Sequence, residues 1–140
     1  METNFAPQDK APIGFVNLKS RHLLPGQQYC IVRNRGNCMD SPKSPLRVED
    51  GSYLLLRYIA ADTKTLRNNI GSIVAVETIQ FGLYTKHLTS VNASKRTISL
   101  TMYRPTEVTL TFRMDDIRRV YRVEKTFSPE EIKVHTTPIV

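Results

Sequence analysis

The chain has 140 residues, 40% hydrophobic and 24% charged, the balance of one globular domain long enough to bury a core. It has no apolar run of the roughly 18 residues that a membrane helix needs, and Met1 to Lys10 lacks the apolar stretch of a secretory signal, so a cytoplasmic location without membrane contact is the expectation. The net charge of +7 raises nucleic-acid binding, but the cations are scattered and no aromatics alternate with them, so a solvated surface is the plainer reading.

Residues 1 to 27 carry two glycines and three prolines and read as an N-terminal arm. Beyond it, runs rich in Val, Ile, Thr and Tyr are bounded by Gly, Asn, Asp and Pro, which predicts strands. These are Tyr29 to Arg35, Ser52 to Tyr58, Ser72 to Thr78, Leu83 to Leu88, Thr97 to Tyr103, Val108 to Arg113 and Ile117 to Lys125. Ile98, Leu100 and Met102 alternate with polar residues, and so do Val108, Leu110 and Phe112, the pattern of half-buried strands. The stretches Ser41 to Glu49 and Ala60 to Asn69 read as turn-rich. Asn92 to Arg96 reads as a hairpin turn, and Met114 to Ile117 as a tight turn or bulge. Ser128-Pro129-Glu130-Glu131 combines an N-cap, a proline at the first helical position and acids in the first turn. It predicts one short helix, ended by His135-Thr136-Thr137-Pro138. The fold class is therefore all-β with at most one short helix. The expected divisions are the arm 1–27, a domain 28–126 and a tail 127–140, with the first dozen and last half-dozen residues expected to be disordered.

Two segments carry the chemistry. Gly36-Asn37-Cys38-Met39 sets a thiol just after a glycine turn, and Phe81-Gly82-Leu83-Tyr84-Thr85-Lys86-His87-Leu88 sets a lysine in a strand. With period two, Tyr84 and Leu88 share the Lys86 face while Thr85 and His87 point the other way. A lysine on such a face acts as a base only if burial lowers its pKa, and a snorkelling surface lysine is the alternative. Cys30, in Tyr29-Cys30-Ile31-Val32, reads as a core residue. Two cysteines are too few for a disulfide framework, and both are expected to be reduced in the cytoplasm. His22, His87 and His135 are isolated and read as surface or hydrogen-bonding residues. No spacing suggests zinc, and no cofactor is expected. The densest basic clusters are Arg113, Arg118, Arg119, Arg122 and Lys125, and Arg33, Arg35, Lys43 and Arg47, the second near Cys38.

In order, the chain reads Gly36-Asn37-Cys38-Met39, then Asp50-Gly51 before Ser52 to Leu56, then Gly71-Ser72-Ile73-Val74, then Gly82 to Leu88, and last Ile117 to Val123. This series resembles the catalytic domain of LexA-type repressors and UmuD-type mutagenesis proteins. They belong to a superfamily of Ser-Lys peptidases that includes the signal peptidases. Its pattern is a Gly-x-Ser-Met turn, an Asp-Gly turn into a strand, a Gly-x-Ile-Val strand, a Gly-x-x-x-x-Lys-x-Leu strand and a closing Ile-x-x-x-Tyr-x-Val strand. The resemblance covers about residues 28 to 124 and implies a small, strongly bent, β-clip-like domain that dimerises through late strands. It also implies Cys38 as nucleophile, Lys86 as base, and the backbone N–H groups of Cys38 and Asn37 as the oxyanion hole. Met39 would pack beneath the turn, and Asp50-Gly51 would be structural.

The chain departs from that family in several places. Cys38 stands where the family has serine, which leaves three readings: an active cysteine variant, an inactive descendant, or an introduced substitution. A thiol gives up its proton more easily than a hydroxyl, so a Cys-Lys pair can rest as thiolate and ammonium and lose its neutral base. The interval from Cys38 to Lys86 is longer than usual. Self-cleaving members cut an Ala-Gly or Cys-Gly bond, and this chain has neither, with Ile13-Gly14 the nearest upstream step. The arm is also too short for a helix-turn-helix domain, so the chain is read as UmuD-like or as one domain of a longer protein.

Two function classes follow. One is a peptidase-fold regulator of the SOS-response or phage-repressor kind, cleaving a peptide segment in cis or in trans. The other is a catalytically inactive dimerisation or partner-binding module of a transcriptional regulator, linked to a DNA-binding repressor domain not in this chain. A nucleic-acid-binding β-barrel is a weaker third.

Overall fold

The computed structural model describes residues 16–18, 24–80, 82–131 and 136–138. Ile13-Gly14, His22, Phe81, His135 and the first dozen residues lie outside them, whereas Thr136–Pro138, within the last half-dozen residues expected to be disordered, form a strand. The fold is all-β. A short ladder joins β1 (Val16–Leu18) to β9 (Thr136–Pro138), so described parts of the arm and the tail pair with each other.

The main sheet has seven strands: β2 (Tyr29–Arg33), β3 (Tyr53–Ile59), β4 (Ile73–Thr78), β5 (Gly82–Asn92), β6 (Thr97–Met102), β7 (Val108–Arg113) and β8 (Ile117–Phe127). Their spatial order is β2-β3-β8-β4-β5-β6-β7, with every neighbour antiparallel. The strands expected from alternation all form, within a few residues at their ends. The largest difference is β5, which runs on to Asn92 and pairs there with Thr97 across the expected hairpin turn. β8 likewise continues past the expected Lys125 to Phe127, a fully buried residue.

Consecutive strands of this sheet pair except β3 with β4 and β7 with β8. β8 is inserted between β3 and β4, with Leu56 opposite Val123 on one side and Val76 opposite Val120 on the other. The register shifts between Leu55 and Leu56, between Glu77 and Thr78, and between Leu88 and Ser90. Such bulges bend a strand and increase its local twist.

The core lies on both faces of β4. Ile73 and Ala75 belong to one apolar cluster with Val32, Met39, Leu54, Leu56 and Val123. Val74 and Val76 belong to another with Leu66, Leu88, Leu100 and Val120. A strand buried on both faces shows no alternation, which is why Ile73-Val74-Ala75-Val76 is apolar throughout.

The helical content exceeds the one short helix expected. Pro129 to Glu131 does begin a helical turn after Ser128, and the cap is reciprocal: the Ser128 N–H donates to Glu131 Oε1 at 2.8 Å and the Glu131 N–H donates to Ser128 Oγ at 3.2 Å. In addition, α1 (Thr63–Asn68) forms inside the stretch read as turns, and Met114–Asp116 makes one 3-10 turn. Asp62 caps α1, accepting from the Thr65 N–H at 2.7 Å, and the buried Leu66 anchors it to the second cluster. One apolar residue in six leaves no periodicity to read in the sequence. No helix among the described residues is long and apolar enough to cross a membrane.

Leu56 is 0% exposed on an interior strand, whereas Ile79 is 61% exposed. Leu56→Ala is expected to cost about 2–5 kcal/mol in urea denaturation, and Ile79→Ala to stay within about 0.5 kcal/mol. Equal effects would contradict this placement of the core.

Candidate active site

The chain turns sharply after β2 because Asn34 holds it from three directions. Asn34 is 5% exposed, and its N–H donates to the Ser52 carbonyl at 2.7 Å while its own carbonyl accepts from the Gly51 N–H at 2.9 Å. Its side-chain amide donates to the carbonyls of Gly36 at 3.1 Å and Glu49 at 2.9 Å. Gly36 adopts φ +97°, a left-handed conformation that glycine takes without a Cβ clash, and its N–H donates to Asp50 Oδ1 at 2.8 Å. Asp50 is therefore structural, as expected.

Beyond Gly36 the turn is tied to the core. Met39 is fully buried beneath it, in the position expected, and the Val48 N–H donates to its carbonyl at 3.2 Å. The Cys38 carbonyl accepts from the N–H groups of Tyr103 at 2.8 Å and Arg104 at 3.1 Å, where the chain leaves β6. The Arg104 Nε–H donates to the Asp40 carbonyl. The turn that carries Cys38 is thus fastened to β2 and β3 on one side and to the end of β6 on the other.

Lys86 comes to this turn from β5. It pairs across the ladder with Val74, flanked on its own face by buried Tyr84 and Leu88. The side chain is 1% exposed, so the snorkelling alternative does not hold. Its Nζ lies 3.1 Å from Cys38 Sγ, within hydrogen-bond distance of sulfur, and Cys38 Sγ lies 3.9 Å from the Thr85 carbonyl. Burial pushes the Lys86 pKa down from its ordinary value, against the opposing pull of the Cys38 charge and hydrogen bond. A lysine so placed lies within proton-transfer distance of the thiol.

The amides of Asn37 and Cys38 complete the constellation. Among the described residues neither N–H donates a hydrogen bond, and Cys38 itself is half-buried.

His87 is not isolated. It faces away from Lys86, with Nδ1 2.6 Å from the Tyr103 hydroxyl, and burial pushes its pKa down. Tyr103 thus links the back of the base strand to the nucleophile turn. Cys30 lies apart from the dyad chemistry: it pairs with Leu56, burial pushes its thiol up, and both cysteines are free. Among the described residues no three His, Cys, Asp or Glu side chains gather as metal ligands.

A groove of about 900 Å³ also crosses the sheet, and it escaped sequence reading because five strands line it. Its floor is Cys30, Val32, Leu56 and Leu83, part of the cluster against which Cys38 packs. Tyr58, Tyr121, Glu77 and Arg119 stand around that floor, and Arg119 lies 3.6 Å from Glu77. Cys38 and Lys86 do not line it. Of the two basic clusters, members such as Arg47, Arg113 and Lys43 pair with nearby acids at the surface.

Compared with models of known protein families and with curated proteins, the chain matches none.

A lysine whose pKa is lower folded than unfolded makes stability fall as pH drops from above the unfolded value through the folded one, and leaves it level below that. Lys86→Met removes this dependence. The variant is expected to gain on the native chain at neutral pH, with the difference shrinking as pH rises toward the ordinary lysine value of 10.5. Chemical denaturation across pH measures it, and a difference that does not vary with pH would mean that Lys86 titrates as an ordinary lysine.

Proposed function

We propose that this domain is a peptide-bond hydrolase of the LexA and UmuD type, with Cys38 as nucleophile and Lys86 as general base. The observation that carries the reading is the 3.1 Å contact between a half-buried thiol and a lysine that is 1% exposed. An all-β domain with a glycine turn ahead of the nucleophile supports it.

In the proposed cycle the neutral Lys86 amine takes the Cys38 proton. The thiolate attacks the carbonyl carbon of the scissile bond. The oxygen becomes an oxyanion, and the Cys38 and Asn37 N–H groups donate to it. The carbon–nitrogen bond then breaks, and Lys86 returns its proton to the leaving amine. The thioester that remains is hydrolysed by a water that Lys86 deprotonates. The sequence order around Cys38 and Lys86 favours a regulator of the phage-repressor or SOS kind, held in the reducing cytoplasm. Its substrate is a peptide segment supplied in cis or in trans.

The test uses a mixture of unstructured peptides from a digested proteome, with new N-termini identified by mass spectrometry. The native chain is expected to generate a defined set that Cys38→Ala does not. Lys86→Met is expected to lower the rate by about 10²–10⁴, the usual worth of a general base. Cys38→Ser at alkaline pH reports whether sulfur slows the chemistry, and would then cleave faster than the native chain. The same termini from all four proteins would overturn the reading.

A second reading rests on β7. This edge strand alternates half-buried Val108, Leu110 and Phe112 with exposed Thr109, Thr111 and Arg113, and its outer edge has no ladder partner among the described residues. We infer that a second copy pairs there, so that dimerisation is retained whether or not Cys38 reacts. Sedimentation is expected to give a dimer that persists from low to high salt, whereas nucleic-acid binding through the basic residues would weaken steeply with salt. A monomer at all concentrations would remove this reading.

A further inference from the structure

The Cys38–Lys86 contact has a second chemistry that needs no peptide. We propose that the pair is an oxidant-responsive cross-link: a hydroperoxide converts the Cys38 thiolate to a sulfenic acid, and Lys86 Nζ then closes a covalent S–N bond. The proposal rests on the contact itself and not on the peptidase reading.

The steps balance. The thiolate sulfur attacks one oxygen of hydrogen peroxide, forming S–O as O–O breaks, and hydroxide leaves. Sulfur loses two electrons, and the peroxide is reduced to water once protonated. The Lys86 lone pair then attacks the sulfenic sulfur. N–S forms, S–O breaks, and the departing hydroxide leaves as water with the proton that nitrogen sheds. Thiol, amine and one peroxide become a sulfenamide and two waters, the same condensation by which backbone nitrogen captures sulfenic acids.

Three observations favour capture by Lys86 over further oxidation. The reacting atoms already lie 3.1 Å apart, so the step is intramolecular and carries a high effective molarity. Lys86 is 1% exposed, so its amine is kept from water, and its Nζ is in hydrogen-bond contact with the sulfur. Burial also disfavours the ammonium, leaving the nitrogen lone pair available. Cys38 is half-buried, which leaves the sulfur an approach for a molecule as small as peroxide. Cys30 is the weaker competitor, because burial raises its thiol pKa and it sits in the β2 ladder opposite Leu56. Closure would occupy the nucleophile and the base together, and a thiol that attacks the sulfur would expel the amine and restore both.

The experiment treats the native chain with dilute hydrogen peroxide, blocks residual thiols and maps tryptic peptides by mass spectrometry. The expected product is lighter than the reduced chain by about 2 Da. Trypsin no longer cuts after Lys86, a single linked species joins the Cys38 and Lys86 peptides, and dithiothreitol reverses all three changes. A Cys38 found only as sulfinic or sulfonic acid, with the Lys86 peptide released normally, overturns the proposal. A Cys30–Cys38 disulfide overturns it equally, although its mass change is the same, because the linked peptides differ. Failure of the peptide-cleavage assay leaves this outcome untouched, since the map reads the contact and not hydrolysis.

Discussion

Burying the Lys86 amine is the constraint around which this domain is arranged. An ammonium withdrawn from water costs several kcal/mol unless it is paired or gives up its proton. Here Lys86 pairs with Val74 across the ladder, is 1% exposed, and meets the Cys38 sulfur through its amine at 3.1 Å. Neither residue produces this alone. The strand supplies an apolar setting that depresses basicity, and the turn supplies a group able to share a proton. Holding that turn still takes many weaker interactions: the four hydrogen bonds of Asn34, the left-handed Gly36, and the Tyr103 and Arg104 amides on the Cys38 carbonyl. Each is worth little by itself, but together they leave the sulfur few other places to go.

The contact stands in a sheet whose two halves meet at a single strand. The hairpin of β2 and β3, from which the Cys38 turn departs, has no main-sheet neighbour other than β8 among the described residues. The β4–β7 meander that carries Lys86 lies on the other side of the same strand. Val120 and Val123 of β8 belong to the two different clusters, so one strand joins both halves of the core. The same crowding forms the groove, whose floor is the outer side of the cluster that supports Cys38.

Much of this was legible in the chain because strands announce themselves by alternation. Ile98, Leu100 and Met102, and Val108, Leu110 and Phe112, pointed to β6 and β7 directly. The Tyr84-x-Lys86-x-Leu88 spacing placed the lysine on an apolar face, but local sequence cannot say whether that face is covered, and this left burial and snorkelling open. The answer came from the Cys38 turn, which lies 48 residues away in sequence. The helix α1 was hidden because its stability comes from one cap and one buried leucine. The insertion of β8 was hidden for a different reason: Ile117 to Val123 reads the same whichever strands it pairs with. The groove and the His87–Tyr103 bond arise only when separate strands are brought together.

The position of β8 also governs when the site comes into being. Strands β2 to β7 emerge during synthesis before the one that must lie between β3 and β4. Until residues 117 to 127 are available, the hairpin carrying Cys38 has no ladder through which to dock, and Lys86 lies in a half-sheet with one face of β4 unpaired. Pairings this distant along the chain are slow to form, because loop closure precedes the reward of contact. A growing chain therefore carries Cys38 and Lys86 before it brings them together, and their contact waits on residues 117 to 127.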